Sequence, residues 1–237
     1  MDLRIVLEQI KDKGYYYGYI GLSEDAFINY MTDQDVLHLY KRDRDETFFK
    51  IVQDINSPSL TSIARSSNDF TPHTECVDEE ILPDYLFLYC TENPKDTEMN
   101  TYLIDTSLFL NQCTDKEFDI LSKILFVFVN KKGEEITLPL IRSDSNLEYM
   151  ALTCRGYFKP NYKMLAHAQE MEIIEYMPVI NKLVNYIIDH KNYVANVSLK
   201  KGELLAINNR RMLHGRENLK HKQDFNRRLV RLLCKVI

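Results

Sequence analysis

Hydrophobic residues recur along this chain at both helical and strand-like spacings. Residues 2–13 predict a short amphipathic helix. Tyr15, Tyr16, Tyr17 and Tyr19 follow as a β-prone cluster interrupted by Gly14, Gly18 and Gly21. Ser23 is placed to cap a helix reaching about Met31, with Glu24 and Asp25 favourable in its first turn. Residues 56–72 carry Ser, Asn and Pro and predict a loop with short extended pieces. Residues 85–90 are apolar throughout, as in a strand buried on both faces, and 101–104 predict another short strand. Over 115–130 the apolar positions Phe118, Ile120, Leu121, Ile124, Leu125 and Val127 fall in a helical pattern. Lys131, Lys132 and Gly133 then turn into a strand over 134–142. Residues 178–190 predict a second clear helix, with Val179, Ile180, Leu183, Val184, Ile187 and Ile188 at helical spacing and Pro178 near its start. A turn at 200–202 leads into a strand at 203–208, and a last strand covers about 227–237.

Helices and strands are therefore mixed, with strands concentrated after residue 80. No βαβ repeat is visible, which argues against a doubly wound sheet. No internal repeat, low-complexity stretch or linker separates two domains. At 237 residues, with 45% hydrophobic and 27% charged, the chain has the composition of a folded protein with a sizeable core. No apolar run approaches the roughly 20 residues of a membrane-crossing helix. The N-terminus carries Asp2 and Glu8 and lacks a small-residue cleavage site, so it does not read as a signal peptide. Cys76, Cys90, Cys113, Cys154 and Cys234 are odd in number and lack CxxC spacing, which predicts reduced thiols in a cytoplasmic protein.

Charge changes the picture locally. The net charge is −5, but the segment from residue 209 onward carries about +7 and the rest about −12. A basic segment can bind nucleic acid, or it can hold one small dianion.

Three separated pieces carry chemistry. In Pro72-His73-Thr74-Glu75, an extended backbone would point His73 and Glu75 the same way, able to grip one metal ion. The alternative is a surface loop. In Asn208-Asn209-Arg210-Arg211-Met212-Leu213-His214-Gly215-Arg216, a strand runs into a turn and presents His214 beside a glycine. Two histidines and one carboxylate form a facial set that leaves positions open and suits non-haem Fe(II). The alternative is a solvated histidine in a basic loop. In the third piece, residues 227–236, alternation puts Arg227, Leu229 and Arg231 on one face. Val230, Leu232, Cys234 and Val236 lie on the other, beyond Arg228. An arginine inside such a strand needs an anion, and its fork suits a carboxylate. The alternative is an edge strand with exposed bases.

Taken in order, His-x-Glu, a distant His and then Arg, the chain resembles the Fe(II)/2-oxoglutarate-dependent oxygenases of the taurine dioxygenase and clavaminate synthase-like branch. The stretch INNRRMLHGRENL…NRRLVR is similar to that branch's distal-histidine segment and terminal arginine strand. Thr101-Tyr102-Leu103-Ile104-Asp105, 26 residues after Glu75, resembles its Thr-x-x-x-Asp strand, and residues 83–90 are also family-like. The likeness covers about 70–110 and 203–237. Glu98-Met99-Asn100 stands where the family often has Gly-Gly before the threonine. Glu75 in place of the commoner Asp matches the clavaminate synthase-like amino-acid hydroxylases, and its presence weighs against a halogenase.

The resemblance implies an α+β fold with a mainly β core, a double-stranded β-helix (a cupin-like jelly roll) with flanking helices. Residues 1–237 would form a single oxygenase domain, with 1–70 an N-terminal extension packing on a core at 71–237. His73, Glu75 and His214 would hold Fe(II). Arg227, helped by Thr101, would bind the far carboxylate of 2-oxoglutarate; it is preferred to Arg228 because it shares a face with Arg231. Arg231 could reach a substrate carboxylate, with Arg216 structural or lining the site. O2 would be the second co-substrate, and succinate and CO2 would be products. The expected reaction is hydroxylation of an unactivated carbon in a small carboxylate-bearing molecule, a free amino acid by preference, although desaturation or ring closure would start the same way. Asp69, Glu98 and Asp105 are weighed as partners for a cationic side chain but are expected to be solvated or structural.

Two competing readings are a basic-tail nucleic-acid-binding protein and an inactive jelly roll serving as an interaction protein. The first leaves the spacing of His73, Glu75, Thr101 and His214 to chance. The second is opposed by the intact ligand set. No membrane partner is expected, and a homodimer is allowed. No GxGxxG, P-loop or GxSxG motif is present. Cys76 as a nucleophile is disfavoured, because alternation sends it away from His73. His38, His167, His190 and His221 are expected to be surface or satisfied histidines.

Overall fold

A computed structural model describes residues 2–40, 48–54, 70–77, 79–93, 98–129, 135–142, 151–152, 170–217 and 226–236. Helix α1 (Leu3–Lys13) starts at Asp2, whose carboxylate accepts from Arg4 N, and buries Leu3, Val6 and Ile10. It stops at Gly14, whose φ of 83° is the left-handed conformation that glycine adopts without a Cβ clash. Strand β1 (Tyr15–Tyr19) follows. Helix α2 (Glu24–Thr32) is capped by the Ser23 hydroxyl, with Glu24 and Asp25 at its positive end. Strands β2 (Leu37–Leu39), β3 (Phe48–Asp54), β4 (Phe70–His73), β5 (Tyr85–Glu92) and β6 (Asn100–Asp105) come next. Helix α3 (Thr106–Leu110) and helix α4 (Asp115–Lys123) lead into strands β7 (Leu125–Val129), β8 (Glu135–Pro139), β9 (Ile141–Arg142) and β10 (Ala151–Leu152). Helix α5 (Glu170–Ile188) precedes β11 (Tyr193–Ser198), β12 (Glu203–Asn208), β13 (Met212–Arg216) and β14 (Asn226–Val236).

Several expectations are corrected here. The helix predicted over 115–130 ends at Lys123, and Leu125–Val129 is strand β7, paired with β8. The Leu-Phe-Val-Phe-Val run is β-branched and aromatic, and a partner strand outweighs the helical spacing of three earlier residues. The strand predicted over 134–142 is split at Leu140, whose N–H turns to Ile124 O. Pro178 lies inside α5, which begins at Glu170, and not near its start. Strands β2, β3 and β11 were not foreseen. Most of the loop expected at 56–72 lies outside the described residues.

Every described ladder is antiparallel. One sheet runs β1-β12-β5-β14-β2, with β3 also on β14; a second runs β11-β6-β13-β4. Alternation sorts their side chains into three apolar clusters. Leu86, Leu88 and Cys90 of β5, Leu205 and Ile207 of β12, and Leu229 and Leu233 of β14 join Leu103 of β6 and Met212 of β13 in one cluster. Residues from both sheets share it, so the sheets pack face to face. The opposite face of the first sheet, with Phe87, Tyr89, Leu204, Val230 and Leu232, is covered by α1 and α2. The opposite face of the second, through Ile104 and Leu213, packs on α4 and α5. The molecule is thus mixed α/β, with antiparallel sheets between two helical layers.

Candidate metal centre and anion cavity

The alternation that sends Leu103, Met212 and Leu229 between the sheets sends Thr101, His214, Arg216, Arg227 and Arg231 there too. In register, His214 on β13 faces His73 on β4, and Arg216 faces Thr101 on β6. The His73 and His214 rings lie 4.2 Å apart between centroids, and Phe70 packs on His73 at 4.1 Å. Gly215 between the two inward residues is required by packing. A Cβ there would lie 2.4 Å from the Tyr102 ring, which stacks on Tyr193 at 4.6 Å.

His73 and Glu75 do converge, but not by strand alternation alone. β4 ends at His73, and Glu75 lies in the following turn. Asn209 sets that turn: its Oδ1 accepts from Glu75 N at 2.8 Å, and its Nδ2 donates to Glu75 O and Pro83 O at 3.0 Å each. The next residue, Cys76, takes a φ of 56°, uncommon for a side chain with a Cβ. Asn209 was not singled out in the sequence; its position in the turn between β12 and β13 was the available signal.

Glu75 Oε2 lies 3.7 Å from His73 Nε2 and 3.6 Å from His214 Nε2, and one ligand atom from each residue falls within 4.8 Å of the others. All three are buried. The other carboxylate oxygen, Oε1, accepts from Arg231 Nη1 at 2.5 Å. Burial alone would raise the Glu75 pKa. Arg231, His214 and His73 overcome it and hold the carboxyl well below its ordinary range. Burial, helped by His73, pushes His214 down to about 4, so its imidazole is neutral at neutral pH. His73 Nδ1 lies 3.0 Å from Thr71 O; the tautomer that donates there leaves Nε2 as a lone pair facing Glu75. Two imidazole nitrogens and one carboxylate oxygen in a buried cluster fit a divalent transition metal.

A cavity opens beside this cluster, lined by Glu75, His214, Thr101, Arg216, Arg227 and Arg231 with the apolar Phe70, Leu88 and Leu229. Arg227 is 1% exposed and donates from Nη1 to Met99 O at 2.9 Å. Burial, then the nearby Arg216, pushes its pKa down to about 10. Arg228 points the other way, exposed, 3.2 Å from Glu92. Arg231, expected at a substrate acid, is anchored on Glu75. The remaining arginines of the basic segment are also engaged. Arg210 pairs with Asp84 and Arg211 with Asp105, each at 2.6 Å. Asp105 also caps α3, so it is structural. Glu98 is exposed, and Asp69 lies outside the described residues. Cys76, Cys90, Cys113 and Cys234 form no disulfide. No described helix is long and apolar enough to cross a membrane.

A two-histidine, one-carboxylate cluster beside an arginine-lined cavity, between antiparallel sheets, is a donor set able to hold a divalent transition metal. The chain itself belongs to the family described as taurine catabolism dioxygenase TauD, TfdA family, whose model matches residues 20–233. A comparison with curated proteins gave no match. Among solved structures, an asparagine oxygenase in complex with Fe(II), 2S,3S-3-hydroxyasparagine and succinate is 19% identical, with a TM-score of 0.59 over 80% of this chain and 56% of that one. OrfP, a non-heme iron oxygenase in complex with Fe, succinate and (3S)-hydroxy-L-Arg, is 20% identical, with a TM-score of 0.56 over 79% and 55%. PvcB from Pseudomonas aeruginosa is 13% identical, with a TM-score of 0.70 over 99% and 80%. The chain spans a little over half the length of the asparagine oxygenase and OrfP chains.

Proposed function

We propose that this chain is an Fe(II)- and 2-oxoglutarate-dependent dioxygenase that hydroxylates an unactivated carbon of a small carboxylate-bearing molecule, a free amino acid by preference. The observation that carries the reading is the buried convergence of His73, Glu75 and His214 next to a cavity walled by arginines. Family membership and the amino-acid products named for the asparagine oxygenase and OrfP complexes support it. In this reading the two packed sheets are a double-stranded β-helix, and residues 1–237 make one domain.

His73, Glu75 and His214 would hold Fe(II). The metal, with O2 and 2-oxoglutarate, supplies the oxidising equivalents, and 2-oxoglutarate leaves as succinate and CO2. The protein's share is placement. A neutral His214 offers a lone pair without first losing a proton. Glu75 stays charged, and Arg231 holds one of its oxygens while the other faces the imidazoles. Arg227 would take the far carboxylate of 2-oxoglutarate with the Thr101 hydroxyl beside it. Arg231 would also receive the substrate acid. Phe70, Leu88 and Leu229 keep that space apolar and limit water.

The test is anaerobic titration with Fe(II) and 2-oxoglutarate, followed by succinate release against a panel of amino acids. His73→Ala and His214→Ala are expected to abolish metal binding and succinate release together. Unchanged metal affinity in both variants would sink the reading.

A further inference from the structure

The strand that carries His73 has a short and irregular ladder. β4 is four residues long and stands at the end of the order β11-β6-β13-β4. His73 faces His214 and Phe70 faces Arg216, with a register shift between the two pairs. Pro72 in the same strand has no N–H to give to that ladder. Across this pairing the His73 and His214 rings are nevertheless held 4.2 Å apart.

Tyr102 spans the same stretch of sheet. It is the register partner of Gly215 on β13, the residue after His214. A Cβ on Gly215 would lie 2.4 Å from two ring carbons of Tyr102 and 2.5 Å from its hydroxyl oxygen, so the ring crosses β13 over that glycine. On β4, the hydroxyl donates to Phe70 O at 3.2 Å. Phe70 is the residue whose ring packs on His73 at 4.1 Å. Tyr193 of β11 stacks on the Tyr102 ring at 4.6 Å, with 5° between the planes, which fixes the direction from which the hydroxyl arrives. One side chain rooted in β6 and backed by β11 therefore crosses β13 and ties down β4, the two strands that carry the imidazoles.

We infer that Tyr102 is a positioning residue for the metal centre. Its ring packs β13 beside His214, and its hydroxyl holds β4 so that His73 keeps the separation that one shared ion needs. It acts through Gly215 and Phe70. This deepens the reading that His73, Glu75 and His214 hold a divalent metal, and rests on it.

The experiment is Co(II) titration of the metal-free full chain, following affinity and the visible absorption bands that report ligand geometry, with urea midpoints measured on the same samples. Tyr102→Phe keeps the ring over Gly215 and its stack on Tyr193 and removes the hydroxyl alone. It is expected to weaken Co(II) about 3–10-fold, the scale of one neutral hydrogen bond, and to alter the bands. Ser23→Ala, which removes the α2 cap on the outer face of the other sheet, should lower the urea midpoint and leave Co(II) affinity and bands unchanged. Wild-type affinity and bands in Tyr102→Phe, at any urea midpoint, overturn the inference and leave Tyr102 a packing residue. An equal loss of affinity in Ser23→Ala overturns it too, because general destabilisation would then account for the effect. His73→Ala separates the two failures. Co(II) lost in His73→Ala but not in Tyr102→Phe sinks this inference alone, whereas unchanged affinity in His73→Ala sinks the metal site and the inference with it.

Discussion

Arg227 and Arg228 are adjacent in sequence and opposite in fate. The first is buried against the cavity, and the second is exposed beside Glu92. An exposed ion pair of that kind contributes about 0–1 kcal/mol. Arg227→Ala is therefore expected to raise the 2-oxoglutarate requirement far more than Arg228→Ala, as read from succinate release at varied 2-oxoglutarate. Equal effects would show that the wrong arginine was chosen. The alternation of one strand was enough to separate them. Asn209 was different. It binds Glu75 and Pro83, which are 134 and 126 residues away in sequence, so its place in a turn gave no sign of what it holds. Asn209→Ala would leave buried backbone groups unpaired at about 1–3 kcal/mol each. The expected result is an earlier urea midpoint and Mn(II) affinity weakened by about 10–100-fold, the usual cost of losing support behind a metal ligand. Intact metal affinity in a destabilised variant would confine Asn209 to folding.

At the scale of elements, the bounds of α1, α2 and β12 were legible, and that of α4 was not. Ser23 and its acidic first turn marked α2 correctly, because a cap is a local hydrogen bond. The end of α4 was missed, because the helical spacing of apolar residues ran on through Ile124, Leu125 and Val127, and the antiparallel pairing with β8 overrides it from Leu125 onward. Helix α4 opens with a capping box, Thr114 with Glu117, and Glu117 also reaches Lys182 of α5 at 2.8 Å. The Lys182 ammonium, with the Thr114 backbone N–H, lowers the Glu117 pKa. A carboxyl lowered on folding stabilises the protein above its unfolded pKa and loses that contribution as the pH falls through the folded value. Glu117→Gln keeps the side-chain shape and removes the charge. It should flatten the acid limb of a stability-against-pH curve while leaving the capped helix in place, which urea midpoints from neutral pH down to acid will show.

Across the whole molecule, the first 40 residues are bound into the main sheet. β1 pairs with β12 and β2 with β14, and α1 and α2 cover Phe87, Tyr89, Val230 and Leu232. Deleting residues 1–40 should expose that face, at roughly 1.5–3 kcal/mol for each large apolar side chain uncovered. The truncated chain is expected to aggregate on expression; a soluble, cooperatively unfolding product would contradict this. The sequence by itself determined which residue types could meet a metal and an anion, and in what order along the chain, because periodicity and donor chemistry are local. Only the tertiary structure decided that Glu75 is held in a turn by Asn209, that Arg231 is anchored on Glu75, and that Arg216 and Arg227 approach one space from opposite sheets. Those relations depend on strand partners more than a hundred residues apart, and packing between layers leaves no mark on neighbouring residues.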